Sequence, residues 1–265
     1  MKFALDYIAS DFAVDLSKQY SLSIRQNLDG YSFCVIDKRQ DKCVAIKSVT
    51  TSKSSVNSIG GDQLFEIEPL LKLEYDKVIF FGEGAYALVP NAIISDNNLS
   101  SFLSIEKRLQ NRAKLLKTEI TEADTIVCYT NQWQVPNIQC VLHHSVEPLL
   151  QMGMRCSEYE SVWCEITNHY INIAIIKNSK IILVNSYQIS SKEDIYYYIL
   201  ACYQQFGISV TDVRLHVTGR FNDEKIDDFL KEYIKGVDLI MPKYWNNEFD
   251  NIYAPDFTLL TEGDF

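Results

Sequence analysis

Residues 161–221 constrain the fold of this 265-residue chain more than any other stretch. They predict a strand, a tight turn, a second strand, another turn, a third strand, a helix and a fourth strand. In the second strand Ile171, Ile173 and Ile175 alternate with other residues, which is the two-residue period of a β-strand. This order predicts an antiparallel meander followed by a crossover helix and a returning strand.

The helix in this stretch has both a start signal and a stop signal. Residues 190–193, Ser-Ser-Lys-Glu, are typical of a capping box, and Gly207 is typical of a C-terminal cap. The extended run that follows the helix ends at Gly219. The apolar residues between the two signals form one stripe that is expected to face a sheet: Ile195, Ile199, Cys202 and Phe206.

The same order of elements begins earlier in the chain. Alternating runs at 21–26, 31–35 and 43–49 predict a second three-stranded meander. The first two runs flank Asp29-Gly30, a dipeptide that predicts a type I′ turn with a positive φ at Gly30. Gly30→Ala is therefore expected to destabilise the chain by roughly 1 kcal/mol or more.

The spacing of the two meanders predicts an internal duplication. They begin at Ser21 and Ser161, which are 161 − 21 = 140 residues apart. A repeat of this length predicts two related lobes with a cleft between them, rather than a solenoid. We place the first lobe at 1–145 and the second at 146–265.

Other segments are assigned from weaker patterns. Residues 77–81 and 86–89 flank Gly82-Glu83-Gly84 and predict a hairpin, and residues 99–118 predict a helix. Residues 244–265 mix aromatic and acidic side chains, so we expect this tail to pack over the surface rather than form its own unit.

Composition and charge exclude several classes of protein. The net charge of −10 argues against nucleic acid as a partner, because phosphate binding needs clustered Lys and Arg. No apolar run approaches the ~18 residues of a membrane span, and the N-terminus lacks the apolar core of a signal peptide. An odd number of cysteines, seven, is typical of free thiols in a reducing compartment, which predicts a cytoplasmic protein.

The predicted order of elements is three antiparallel strands followed by helix, strand, helix and strand, and this order occurs twice in the chain. It resembles the actin-like ATPase fold. This α/β, ribonuclease-H-like fold is shared by actin, sugar kinases, heat-shock ATPases and bacterial cell-division and pilus-assembly proteins. Together, four local runs resemble a family of uncharacterised bacterial proteins with this fold, which has no established activity: Ala87-Leu88-Val89-Pro90, Leu183-Val184-Asn185-Ser186-Tyr187, residues 193–198 and residues 213–219.

The resemblance also implies where a nucleotide would bind. In active members each lobe's first hairpin carries an Asp-x-Gly pattern for phosphate and Mg²⁺, and a glycine-rich turn in the second lobe holds the adenosine. The six positions that would line such a cleft here are Asn27, Asp29, Gly30, Thr167, Asn168 and Gly219. The second-lobe hairpin has neither Asp nor Gly, so we expect no cofactor and no measurable ATP binding.

Two functions remain open at this point. The first is a non-catalytic actin-like-fold protein that acts through an unknown protein partner. The alternative is a diverged nucleotide-binding protein or slow ATPase that uses ATP with Mg²⁺ in the cleft. A cleft filled by Trp163 or Tyr170 would favour the first, whereas an open cleft lined by polar side chains would favour the second.

Three further sets of residues invite a functional interpretation, each with a structural alternative. Cys140, His143 and His144 could suggest a metal, but no second ligand pair lies at a suitable spacing. His169 lies in the second-lobe hairpin without an evident nucleophile or orienting partner. Residues 196–198 are three tyrosines around one helix, so at least one faces outward and could contact a partner.

Overall fold

The computed structural model describes residues 3–28, 30–50, 61–94, 99–104, 114–131, 139–222, 224, 226–249 and 251–263. Within these ranges the strands are β1 (Phe3–Ile8), β2 (Ser21–Asn27), β3 (Gly30–Asp37), β4 (Lys42–Thr50), β5 (Lys77–Gly82), β6 (Tyr86–Pro90), β7 (Lys114–Ile120), β8 (Thr125–Asn131), β9 (Val141–His144), β10 (Glu160–Ile166), β11 (Tyr170–Lys177), β12 (Lys180–Gln188), β13 (Leu215–Gly219) and β14 (Val237–Leu239). The α-helices are α1 (Gly61–Ile67), α2 (Leu99–Ser104), α3 (Glu147–Arg155), α4 (Lys192–Gln205), α5 (Asp227–Lys231) and α6 (Thr258–Thr261).

Two sheets repeat the same strand order. The first runs β1-β4-β3-β2-β5-β9 and the second runs β12-β11-β10-β13-β14. In each, an antiparallel meander is followed by parallel pairing of its first strand with the next strand, β2 with β5 and β10 with β13. The predicted pair of meanders is therefore confirmed. The boundary between the lobes at residue 145 stays a prediction.

A smaller sheet, β6-β8-β7, is inserted in the first half between β5 and β9. Its strands correct two predictions. Residues 77–82 and 86–90 do not form a hairpin, because β5 pairs with β2 and β9 whereas β6 pairs with β8. The predicted helix at 99–118 is wrong at its end, since α2 covers Leu99–Ser104 and Lys114–Ile120 is a strand paired with β8.

The crossover helix α4 packs on the second sheet as its apolar stripe predicts. Ile195, Ile199 and Cys202 are buried in one cluster with the strands below. The capping box is present one residue later than predicted, because Ser191 accepts from the backbone of Asp194 and not from Glu193. The helix is followed by Gly207, which has the predicted left-handed φ of 64°.

The chain's final segment corrects another expectation, because it joins the core instead of covering the surface. Tyr244, Phe249, Phe257 and Leu260 form an apolar cluster with residues of β3 and β4. The backbone N–H of Cys43 donates to the carbonyl of Tyr244 at 2.6 Å. Residues 244–261 therefore return to the first sheet after the chain has completed the second.

The thiols and the helices bear on two further expectations from the sequence. All seven cysteines are free thiols, and five of them are buried. Within the described ranges, no helix has both the length and the apolar character that crossing a bilayer would require.

Candidate functional site in the cleft between the sheets

A cavity of about 840 Å³ lies where the β2–β3 hairpin, the β10–β11 hairpin and the end of β13 converge. It brings together four of the six positions named from the sequence, Asn27, Thr167, Asn168 and Gly219. Gly30 does not line it, and Asp29 lies outside the described residues. The cavity is open and its lining is about equally polar and apolar; Tyr170 is part of that lining, whereas Trp163 packs elsewhere, on His216.

The β10–β11 hairpin uses its own hydrogen-bonding groups to close its turn. Thr167 Oγ donates to the carbonyl of Tyr170 at 2.9 Å and accepts from the backbone N–H groups of His169 and Tyr170. The N–H of Thr167 also donates to the carbonyl of Tyr170, at 3.0 Å. These three amides are thus already bonded within the turn, and a phosphate would have to displace those bonds to use them.

Asn168 and Gly219 also have structural roles. Asn168 Oδ1 accepts from the backbone N–H of Asn222 at 2.8 Å and ties the hairpin to the segment after β13. Gly219 has φ of 80°, and a Cβ there would lie 2.0 Å from the carbonyl oxygen of Ile166. Glycine is required at this position because β13 approaches β10 closely, whether or not a ligand binds.

The β2–β3 hairpin is paired up to Asn27 and Gly30. Gly30 has φ of 145°, so the predicted positive φ is confirmed, although it lies far from the type I′ value. The turn type depends on Asp29, which lies outside the described residues. Asn27 Oδ1 is buried and has no hydrogen-bond partner among the described residues, which distinguishes Asn27 from the other candidates in the cavity.

A buried ion pair lies in the cavity wall between the lobes. A guanidinium nitrogen of Arg25, on β2, contacts a carboxylate oxygen of Glu165, on β10. Arg25 is 5 % exposed and Glu165 is 3 % exposed. Burial by itself lowers the pKa of Arg25, but the charges of Glu165, Tyr170 and Glu83 and the hydrogen bond to Glu165 together outweigh it and raise that pKa above its usual range. Arg25 is therefore charged, and the carboxylate of Glu165 is its contact partner.

Arg25 and Glu165 occupy equivalent positions in the duplication. They are 165 − 25 = 140 residues apart, the same offset as the starts of the two meanders. Sequence reasoning did not identify this pair, although applying the offset to each polar strand residue in turn would have found it. The resemblance predicts metal- and phosphate-binding groups at this end of the two strands, and an internal salt bridge is found there.

Hydrogen bonds extend this ion pair across the second sheet and back to the first half of the chain. Asn172 Nδ2 donates to Glu165 Oε2 at 2.9 Å, and Ser186 Oγ donates to the side-chain oxygen of Asn172. The hydroxyl groups of Ser186 and Tyr86 are 3.3 Å apart. The chain of contacts therefore starts on β2, crosses β10, β11 and β12, and ends on β6.

A second contact between the halves lies beside the first. The hydroxyl of Tyr170 donates to the carboxylate of Glu83, which follows β5. Burial, followed by the charges of Glu83 and Glu165, raises the pKa of Tyr170 well above its usual value, so the hydroxyl keeps its proton. The two lobes are joined here by groups that are paired with each other.

The opposite wall of the cavity is formed by the C-terminal segment. Arg220 Nε contacts Asp256 Oδ2 at 2.7 Å, and Thr218 Oγ donates to the carbonyl of Pro255. In the related fold a glycine-rich turn near this position would hold adenosine. Here the single glycine is followed by an arginine that pairs with the tail.

Taken together, these groups do not fit a magnesium triphosphate. The carboxylate of Glu165 is committed to Arg25, and the amides of Thr167, His169 and Tyr170 are bonded within the turn. Among the described residues, the charged side chains that line the cavity also balance, Arg25 against Glu165 and Arg220 against Asp256. A triphosphate needs an excess of positive charge and free donors from both lobes.

The histidines of β9 have structural partners. His143 Nδ1 lies 2.6 Å from Glu147 Oε2, and His144 Nε2 lies 3.1 Å from the carbonyl of Gly84. His144 Nδ1 accepts from the backbone N–H of Val146, so His144 donates through Nε2. Both rings therefore attach β9 to neighbouring elements, which agrees with the structural interpretation of these two histidines.

His144 predicts a pH dependence of stability. Burial lowers its pKa to about 4, with the charge of Arg25 acting in the same direction and the hydrogen bond to Gly84 against it. Unfolding exposes a histidine with a pKa near 6.5, so its contribution to stability is complete above about pH 6.5 and is lost as the pH falls to about 4. We expect a loss of up to roughly 3 kcal/mol over this interval.

Urea denaturation at several pH values would give the free energy of unfolding of the wild type and of His144→Gln. The contribution of His144 is the difference between the two proteins in the slope of that free energy against pH. Equal slopes for the two proteins would contradict a buried, neutral His144. The carboxylates titrate in both proteins and cancel in the comparison.

The tyrosines of α4 divide between core and surface. Tyr198 stacks on Tyr187 with ring centroids 4.4 Å apart, and Tyr196 contacts Tyr233 at 4.2 Å. Tyr197 is 65 % exposed, as expected for one of three consecutive residues on a helix.

A second depression lies between two strands that each form the edge of a sheet. β6 is an edge of the small sheet and β12 is an edge of the five-stranded sheet. Residues of both line a groove of about 400 Å³, and the described residues of its lining include no charged side chain. Within the described residues no strand pairs with the outer edge of β12, and Ile182 on that strand is 44 % exposed. Two of the sequence runs that carry the family resemblance, 87–90 and 183–187, flank this groove.

Comparison with known proteins identifies the family and the fold. A family model described as "Protein of unknown function (DUF3822)" matches residues 9–237. A Bacteroides thetaiotaomicron protein with actin-like ATPase fold and unknown function is 19 % identical, with a TM-score of 0.74, covering 96 % of this chain and 99 % of that chain. No curated protein matches the sequence. The chain therefore has the actin-like ATPase fold, as the sequence indicated.

Two other solved structures share the fold at lower identity. A PilM-PilN type IV pilus biogenesis complex is 11 % identical over 91 % of this chain and 96 % of that chain, with a TM-score of 0.61. The ethanolamine utilization protein EutJ from Carboxydothermus hydrogenoformans is 10 % identical over 92 % of this chain and 90 % of that chain, with a TM-score of 0.50.

Proposed function

We propose that this chain, which belongs to the DUF3822 family of proteins of unknown function, is a non-catalytic member of the actin-like ATPase fold that acts by binding another protein. The observation that carries the proposal is the buried ion pair of Arg25 and Glu165 at equivalent positions of the two lobes. Recruiting Glu165 to a magnesium ion would leave the guanidinium of Arg25 buried and unpaired. Breaking a buried pair in this way costs about 3–5 kcal/mol.

The groove between β6 and β12 is the surface that we assign to the partner. Edge strands present unpaired backbone N–H and C=O groups, and an extended peptide can add to them as a further strand. The uncharged lining favours a segment with apolar side chains, although the chain as a whole carries a net charge of −10. The PilM-PilN complex, which has the same fold, lends support because it is an assembly of this fold with a second protein.

A displayed library of random peptides would test the groove while the partner is still unidentified. We expect wild-type protein to enrich peptides with alternating apolar residues, and Ile182→Lys to lose them because it places a charge in the groove. Val14→Lys is the matched control, since Val14 is 55 % exposed and lies outside the groove lining.

The dependence of peptide binding on main-chain hydrogen bonds can be measured separately. Methylating alternate amides of an enriched peptide should abolish its binding, because strand addition depends on main-chain hydrogen bonds. Peptides that bind Ile182→Lys as well as wild type, or that tolerate methylation at every amide, would contradict the proposal.

One observation favours the second candidate function, a diverged nucleotide-binding protein. The cleft is open rather than filled, and Asn27 Oδ1 faces no hydrogen-bond partner there. Against this candidate stand the balanced charges and the internally bonded turn described above.

Thermal unfolding with ATP separates the two candidates. A ligand at 100 times its dissociation constant stabilises a protein by about 2.7 kcal/mol, which is on the order of 5–10 °C in the melting midpoint of a chain of this size. We expect millimolar ATP with Mg²⁺ to leave the midpoint within about 1 °C, a small fraction of that shift. A rise of several degrees that Asn27→Ala abolishes would instead support nucleotide binding.

A further inference from the structure

We propose that Cys156, Glu158 and His216 form a binding site for a divalent transition-metal ion of the zinc type. The three side chains offer one ligand atom each, and these atoms all lie within 4.8 Å of one another. All three residues belong to the second half of the chain, and none of them lines the cleft. It was not apparent from the sequence, because His216 is distant in the chain from the other two residues.

The combination of ligand types favours zinc. Thiolate, imidazole and carboxylate are the three side-chain ligands that zinc uses, commonly three of them with a water in the fourth position. Ligands of one tetrahedral zinc are roughly 3–4 Å apart, so the cluster needs to contract by about 1 Å. Cys156 and Glu158 can make this adjustment because they lie in the short connection between α3 and β10.

His216 is the fixed member of the cluster. It lies on β13, and its ring stacks on Trp163 with centroids 4.2 Å apart and an interplanar angle of 19°. Its Nε2 is already 3.1 Å from Glu158 Oε2. A metal ion would replace the proton shared by these two atoms, and neutral imidazole is the form that binds metal.

The charges around the cluster are consistent with a dication. Arg214 is the positive group nearby, with Nε 3.7 Å from Glu158 Oε1 and Nη1 2.6 Å from Asp238 Oδ2. With Cys156 as thiolate, three negative groups face one positive group, and a divalent ion would neutralise the remainder. Arg214 is 57 % exposed at its side chain, so it can keep Asp238 as its partner when Glu158 turns to the metal.

An ion-pair network without metal is the competing interpretation. It accounts for Glu158, whose carboxylate lies 3.7 Å from Arg214 Nε and 3.1 Å from His216 Nε2. In that interpretation Cys156 is only a half-buried side chain packed against the apolar cluster that includes Leu149 and Trp163, and its thiol takes no part in the network. The thiol is therefore the group on which the experiment should depend.

The test uses the full chain after treatment with a chelator and reduction of its thiols. We expect calorimetric titration with Zn²⁺ to give one site per chain, and Co²⁺ to give the intense sulfur-to-cobalt charge-transfer band of a thiolate ligand. Cys156→Ser should lose this band and weaken zinc binding by at least about 100-fold, because losing a ligand should cost no less than losing an outer partner.

Cys140→Ser is the matched control, because Cys140 is also half-buried but lies outside the cluster. It should keep both the band and the affinity for zinc. The proposal is overturned if wild type gives no charge-transfer band at millimolar Co²⁺, or if Cys156→Ser retains it.

Two further variants keep the test decisive if Cys156→Ser folds poorly. Glu158→Gln keeps the shape of the side chain but should weaken zinc binding, whereas Arg214→Ala should strengthen it by removing the competing cation. If neither variant changed the affinity for zinc, any bound zinc would lie at a different site and the proposal would be wrong. Bound Co²⁺ should also quench Trp163, and the quenched fraction of the fluorescence should disappear in Trp163→Phe.

Discussion

Glu165→Ala is expected to lower the free energy of unfolding by about 3–5 kcal/mol, as measured by urea denaturation at neutral pH. The substitution leaves the guanidinium of Arg25 in a site that is 5 % exposed, with its main counter-charge removed. It also removes the acceptor of Asn172 Nδ2, which adds an unsatisfied buried donor.

Two control variants separate the cost of breaking a buried ion pair from the cost of removing a charged side chain. Glu160 lies on the same strand and pairs with Lys177, which is 43 % exposed at its side chain, so Glu160→Ala should cost no more than about 1 kcal/mol. The double variant Arg25→Met with Glu165→Leu should be near neutral, because apolar residues of similar volume often replace a buried ion pair without loss. A cost for Glu165→Ala as small as that for Glu160→Ala would contradict a buried ion pair between the lobes.

Gly219→Ala is the second substitution with a large expected effect, a destabilisation of roughly 2–5 kcal/mol. The added Cβ meets the carbonyl oxygen of Ile166 at 2.0 Å and also occupies a backbone with φ of 80°. The contact is with backbone in a paired strand, so relief requires separating β13 from β10.

Gly207→Ala isolates the conformational part of this cost. Gly207 has φ of 64°, but nothing lies within 4 Å of a Cβ there, so the expected loss is only about 1 kcal/mol. Thermal and urea unfolding of both variants would give the comparison. If Gly219→Ala matched Gly207→Ala in stability but lost binding of a ligand, the functional interpretation of Gly219 would replace the structural one.

Much of the duplicated fold could be predicted because its signals are local. The alternation in the meanders and the start and stop of α4 can each be recognised in a short stretch of sequence. The 140-residue offset follows from comparing two such stretches. They are strong because strands such as β3 and β11 are buried along nearly their whole length and the helix carries an apolar stripe.

The errors fall where distant partners decide the structure. Lys114–Ile120 contains residues with good helix propensity, yet it is a strand because β8 pairs with it along its whole length. The tail residues that pack against β3 and β4 show no sequence pattern that identifies those strands as their partners. Four of the six candidate cleft positions line one cavity, but the ion pair beside them depends on a contact between two halves of the chain.

The return of residues 244–261 to the first sheet has a consequence for biosynthesis. The apolar face formed by Cys34, Ile36 and Cys43 is covered by Tyr244, Phe249 and Leu260, which the ribosome adds last among them. At ordinary rates of translation the early face waits roughly 10–40 s for its cover. The first sheet therefore reaches its final packing only after residues 244–261 have been synthesised, and during that interval the nascent chain exposes an apolar surface.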